Sequence, residues 1–224
     1  MKRTLVFLGL VLALASSPAA GETLRIKLEP DRDVILKGSK SEVVVKIDLA
    51  AAERTKRGKR TPLNLAVVLD RSGSMTGAKL EKAKQAATQL VDRLDSEDVF
   101  SLIAYSDNAR VLIPARRVDD KSELRREIAK IEAGGSTALY AGVKSGAAEL
   151  REYLSGRRIN RVMLLSDGLA NIGPSSTRDL RQLGRELSTE GIAVTTIGLG
   201  DDYNEDLMAG LAEASDANYY YVKD

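Results

Sequence analysis

Asp70, Ser72 and Ser74 alternate directly after the apolar run Leu63-Asn64-Leu65-Ala66-Val67-Val68-Leu69, and so place one carboxylate and two hydroxyls on a single turn. Spaced this way, they can point at a common centre. All three offer oxygen, and an octahedral all-oxygen shell suits Mg²⁺, Mn²⁺ or Ca²⁺ rather than zinc or copper. Two other segments add oxygen donors. Gly134-Gly135-Ser136-Thr137 precedes a helical pattern beginning near Ala138, and Ser166-Asp167-Gly168 closes the apolar run Arg161-Val162-Met163-Leu164-Leu165. Each piece alone has a plain structural explanation: Ser74 and Thr137 as helix caps, Asp70 as the tie of a turn, Gly168 as the source of a positive φ at a strand exit. The five oxygen-bearing residues Asp70, Ser72, Ser74, Thr137 and Asp167 together point to a bound divalent cation.

Such loops need a sheet to bring them to one edge. Leu63 to Leu69 reads as a buried strand, and Leu80, Ala83, Ala87, Leu90, Val91 and Leu94 trace one helical face between Gly77 and Asp95. Val99 to Tyr105 and Ala109 to Ile113 flank the turn-prone Ser106-Asp107-Asn108, which predicts a hairpin and one antiparallel edge strand. Asp120 and Glu123, spaced like a capping box, open a helix expected to run to about Ile131. Tyr140, Val143, Ala147, Leu150 and Leu154 form another helical face. Strands Arg161–Leu165, Ile192–Leu199 and Tyr219–Val222 then alternate with helices at about 177–189 and 204–214. Repeated strand–helix units predict a doubly wound α/β fold: a mostly parallel six-stranded sheet with one antiparallel edge strand and helices on both faces. Ligands of such folds sit beyond the carboxyl ends of the strands, where the turn after Leu69 falls.

Composition narrows the chemistry. The 224 residues contain no Cys, His or Trp, which removes thiol nucleophiles, disulfides, Cys/His zinc sites and His-based triads. With 34 basic and 32 acidic residues, no one-signed field directs the chain to nucleic acid. The basic stretch 51–61 reads as a solvated linker, since no aromatic residues interleave it. Gly198 to Asp202 lacks dinucleotide-binding spacing, Gly73 to Lys79 does not match a phosphate loop, and no loop has the EF-hand pattern. Tyr219-Tyr220-Tyr221 reads as packing and edge residues of a last strand.

Residues 1–20 have the form of an export signal: a Lys2-Arg3 head, an apolar core from Thr4 to Ala15, and small residues to Ala20. That core is shorter than the ~20 residues a membrane span requires, so the expected product is exported, and membrane attachment would require an uncleaved signal. Three short β segments are expected in residues 21–50, at Thr23–Leu28, Asp33–Leu36 and Glu42–Leu49, with period-two alternation predicting half-buried strands. So few strands do not form a stable domain, and they read as an incomplete β module.

The order Asp-x-Ser-x-Ser, then Thr, then Asp, on this strand–helix pattern, resembles the metal-ion-dependent adhesion site of von Willebrand factor A (VWA) domains, over about residues 61–224. The resemblance implies a Rossmann-like fold for residues 62–224. It also implies that Ser72 and Ser74 ligate the ion directly, Thr137 directly or through water, and Asp70 and Asp167 often through water. An ion so held keeps an exchangeable position that an acidic side chain of a partner protein can fill. Met75-Thr76-Gly77-Ala78 carries no paired acids, so the adjacent calcium site of integrin β chains is not expected. The family's terminal helix is missing after Tyr219–Val222, which predicts an open apolar patch, a covering partner or a fragment of a longer protein. The leading functional expectation is therefore an exported, metal-dependent protein-binding module. The alternatives are a metal-dependent hydrolase or phosphatase, for which no general base is visible, and a structural domain with a stabilising or degenerate site.

Overall fold

The computed structural model describes residues 24–31, 42–51, 60–200 and 203–223. The expected export signal, the expected strand Asp33–Leu36 and most of the expected basic linker lie outside them. The chain divides into two compact units, Met1–Arg60 and Thr61–Asp224.

In the first unit, β1 (Leu24–Pro30) pairs antiparallel with β2 (Val45–Ala51). The register sets Ile26 opposite Leu49 and Leu28 opposite Ile47, while Lys27 faces Asp48 and Glu29 faces Lys46. Period-two alternation has thus sorted the hairpin into an apolar and a charged face. The apolar face departs from the half-buried expectation: Ile26, Leu28, Ile47 and Leu49 are all exposed, because two strands offer each other no covering layer.

The second unit is built on a six-stranded sheet in the order β5-β4-β3-β6-β7-β8. Its strands are β3 (Leu63–Asp70), β4 (Val99–Tyr105), β5 (Ala109–Arg117), β6 (Ile159–Ser166), β7 (Ala193–Leu199) and β8 (Tyr219–Val222). All neighbours run parallel except β4 and β5, the predicted hairpin. Among the described residues five helices cover the sheet: α1 (Ala78–Arg93), α2 (Lys121–Ala129), α3 (Leu139–Arg151), α4 (Thr177–Thr189) and α5 (Glu205–Ala214).

Alternation along the central strand explains the two cores. Leu65, Val67 and Leu69 of β3 pack with Leu80, Ala83, Ala87 and Val91 of α1 and with Leu124 and Ile128 of α2. Ala66 and Val68 face the other way, onto α3, α4 and α5. A strand buried on both faces reads as one continuous apolar run, as β3 does from Leu65 to Leu69. Gly146 lets α3 approach closely, since a Cβ there would stand 2.5 Å from Val68 Cγ2.

Three local expectations are corrected. β5 extends to Arg117 instead of ending at Ile113, passing through Pro114 on an edge strand that needs no second ladder partner. Only half of the capping box forms: Asp120 accepts from the amides of Ser122 and Glu123, but the Glu123 carboxylate pairs with Arg116 at 2.8 Å. Finally, α3 stops at Arg151, its end tightened by i→i+3 bonds from Tyr153 and Leu154, so Leu154 is exposed rather than on the buried face.

The last strand is also the least covered. Tyr220 and Val222 are exposed beside Ile197 and Leu199 on the side of the sheet that carries α1 and α2. On the other side Tyr219 and Tyr221 stack on Tyr203, with centroids 6.1 and 4.8 Å apart. Tyr219 and Tyr221 are thus packing residues, while Tyr220 is exposed at the edge of the sheet.

Candidate functional site

Parallel strands β3 and β6 lie side by side at the centre of the sheet and end together, which brings Asp70 next to the Ser166-Asp167 turn. The contact is direct: Ser166 Oγ donates to Asp70 Oδ2 at 2.6 Å. Tyr105, the register partner of Asp70 on β4, donates its hydroxyl to the same oxygen at 3.0 Å. Asp70 Oδ1 accepts from the Ser72 amide at 2.9 Å and so shapes the turn that follows. That turn becomes a short 3-10 turn, Gly73–Met75, with Ser72 Oγ and Ser74 Oγ 3.1 Å apart.

Backbone bonds tie the Thr137 loop to this turn. Gly73 N donates to Gly135 O at 2.9 Å and Gly134 N to Arg71 O at 2.7 Å. Asp107 accepts from the Ser136 amide, and Asn171 accepts from the Thr137 amide at 2.8 Å. Gly135 has φ +86° and no room for a Cβ beside Asp107, so glycine is required there. The sequence-predicted residues thus fall on three loops at one edge of the sheet, with Asp70, Ser72, Thr137 and Asp167 buried and Ser74 exposed.

The residue that caps α1 is Gly77 and the one that caps α3 is Ala138, neither with a side-chain cap bond, so Ser74 and Thr137 are not helix caps. Gly168 does supply a positive φ, +71°. Asp70 does tie its turn, with both oxygens engaged. Asp167 is half occupied: its Oδ1 accepts from the Leu169 amide at 3.4 Å. Its Oδ2 is fully buried without a hydrogen bond, and the Lys79 ammonium lies 3.5 Å from it.

Electrostatics makes this edge costly for the chain alone. Burial pushes the Asp70 carboxyl above its ordinary value; bonds from Ser166 and Ser72 oppose this, and the negative charge of Asp167 adds to it. Burial, reinforced by Asp70, likewise raises the Tyr105 phenol. Two buried carboxylates call for positive charge, of which the Lys79 ammonium beside Asp167 Oδ2 supplies one. Among the described residues no three acidic side chains form an ion cage, so a cation here must also draw on hydroxyls, which Ser72, Ser74 and Thr137 provide. The donor set fits a hard divalent ion.

Comparison with known proteins identifies the fold family: the von Willebrand factor type A domain profile matches residues 64–224. The chain belongs to the von Willebrand factor type A domain family. VWA domains usually serve as non-enzymatic protein-interaction modules. An uncharacterised protein of Synechocystis sp. is 35% identical over 175 residues, covering 77% of this chain and 40% of that protein; the chain therefore spans less than half the length of that relative. A von Willebrand factor type A structure from Catenulispora acidiphila superposes with a TM-score of 0.68 at 19% identity, over 90% of this chain and 46% of that one. Proximal thread matrix protein 1 from the mussel byssus, described with a zinc-occupied metal-ion-dependent adhesion site, has a TM-score of 0.60 at 21% identity, over 71% of this VWA chain and 41% of that one.

Sequence reasoning missed the residues that support the five. Tyr105, Asp107, Asn171 and Lys79 make their contacts across 29 to 88 positions of sequence. Tyr105 did carry a signal: a polar-tipped residue at the carboxyl end of a mostly apolar strand, as Asp70 is on its own.

Proposed function

We propose that this VWA domain is a divalent-metal-dependent protein-binding module in which Asp70, Ser72, Ser74, Thr137 and Asp167 hold the ion. The observation that carries the reading is the buried, unbonded Asp167 Oδ2 beside a turn whose remaining donors are hydroxyls. When bound, the ion supplies a Lewis-acidic position that a partner's carboxylate can occupy. The chain's own residues do the rest. Asp70 shapes the Ser72–Ser74 turn through its bond to the Ser72 amide, and Tyr105 and Ser166 fix the Asp70 carboxylate in place. Asn171 and Asp107 hold the Thr137 loop against it. Hydroxyl ligands add no negative charge, so the site retains attraction for an acidic partner.

The domain assignment we propose has an export signal at 1–20, a β extension and linker before residue 62, and the VWA domain beyond it, with action outside the cytoplasm. No helix of the described residues is long and apolar enough to cross a membrane. Mg²⁺, Mn²⁺ and Ca²⁺ remain the proposed ions; the zinc found in the mussel protein puts Zn²⁺ in the same test series.

The test is capture of paired peptide libraries that differ only in Glu against Gln. With Mg²⁺ the immobilised chain is expected to retain the Glu library selectively, to release it in EDTA, and to lose retention in Asp167→Ala. Equal retention of both libraries, or retention indifferent to EDTA, contradicts the reading. Hydrolysis of phosphate or acyl esters that needs both Mg²⁺ and Asp70 would assign a hydrolase instead.

A further inference from the structure

Lys79 lies in the first turn of α1, where the helix dipole disfavours a cation, and yet its side chain is turned inward and only 18% exposed. Its position is built by three elements. From α1 the side chain passes under the exit of β7, where Gly200, at φ +81°, has no Cβ to block it; one built there would meet Lys79 Cε. The ammonium ends 3.5 Å from Asp167 Oδ2 at the exit of β6, a buried oxygen of the candidate site without a hydrogen bond. Helix stability does not account for a lysine so placed.

We propose that Lys79 is a resident cation that competes with the divalent ion for Asp167. This rests on the metal-binding reading above and adds its regulation. With no ion bound, the ammonium balances the buried Asp167 charge and keeps the loops assembled. Divalent ions must be taken up against that charge, since like charges in a partly dehydrated site repel strongly. The site is thereby kept weaker than its ligand set would make it and filled only when free divalent ion is abundant.

The experiment compares Mn²⁺ affinity by titration calorimetry, and melting temperature in EDTA and in saturating Mn²⁺, for the full chain and its Lys79→Met and Lys79→Arg variants. Methionine keeps an apolar stem beside Gly200 and removes the charge; arginine keeps the charge. Lys79→Met is expected to bind Mn²⁺ about tenfold or more tightly, to melt lower in EDTA, and to recover most of that loss in Mn²⁺, whereas Lys79→Arg stays within about threefold of the parent. Equal or weaker Mn²⁺ affinity in Lys79→Met overturns the competition while leaving the metal site standing, as does a melting deficit that is the same with and without Mn²⁺. Absence of Mn²⁺ uptake by all three proteins overturns the metal reading itself, and the competition with it.

Discussion

Asp70→Ala is expected to abolish the thermal stabilisation that divalent cations give this protein. At an ion concentration about 100 times its dissociation constant, a site absent from the unfolded chain stabilises by ~2.7 kcal/mol. For a cooperative unit of this size each kcal/mol moves the midpoint by about 2–4 °C. The parent should therefore melt about 5–11 °C higher in saturating Mg²⁺ than in EDTA. Asp70→Ala should melt at one temperature in both, because the Ser72–Ser74 turn loses the carboxylate that shapes it. The variant also leaves the Tyr105 and Ser166 hydroxyls without their acceptor. Asp70→Asn, which preserves shape, separates that loss from the loss of the charge. A scan in EDTA and in each cation checks the result.

The second large effect lies in the core beneath the site. Leu165 is fully buried on β6, paired in register with Leu69 and packed on the side of the sheet covered by α1. Leu165→Ala leaves a cavity against a close-packed layer and is expected to lower stability by about 2–5 kcal/mol, measured by urea unfolding with an unchanged m value. Its cation response should persist, since Ser166 and Asp167 keep their own bonds to Asp70 and Asn204. Loss of under about 1 kcal/mol would mean that this layer collapses around the truncation.

The two variants also show what could be read without a structure. Leu165 and its partners were legible because burial on both sheet faces writes itself as an apolar run, and helices α1 to α5 because their buried stripes repeat every three to four residues. Element ends were less legible. The end of α3 depends on i→i+3 bonds at Tyr153 and Leu154, and the length of β5 on a proline tolerated only because the strand is an edge. In the site, Asp70, Ser72 and Ser74 were visible through their spacing, and Thr137 and Asp167 through the loops that carry them. Tyr105, Asn171 and Lys79 were not, because strand register and helix docking, rather than proximity in sequence, bring them to those loops. The face of the β1–β2 hairpin shows the opposite failure: its alternation was read correctly, but period two reveals which residues share a face and not whether anything covers it.

The central claim is that one divalent ion binds at these three loops. Titration of the full chain with Mn²⁺, following the resonance of the free ion by electron paramagnetic resonance, tests it without reference to any partner. Saturable uptake of one Mn²⁺ per chain is expected, displaced by excess Mg²⁺ and lost in both Asp70→Ala and Asp167→Ala. No uptake at millimolar Mn²⁺, or uptake that both substitutions leave intact, would contradict it.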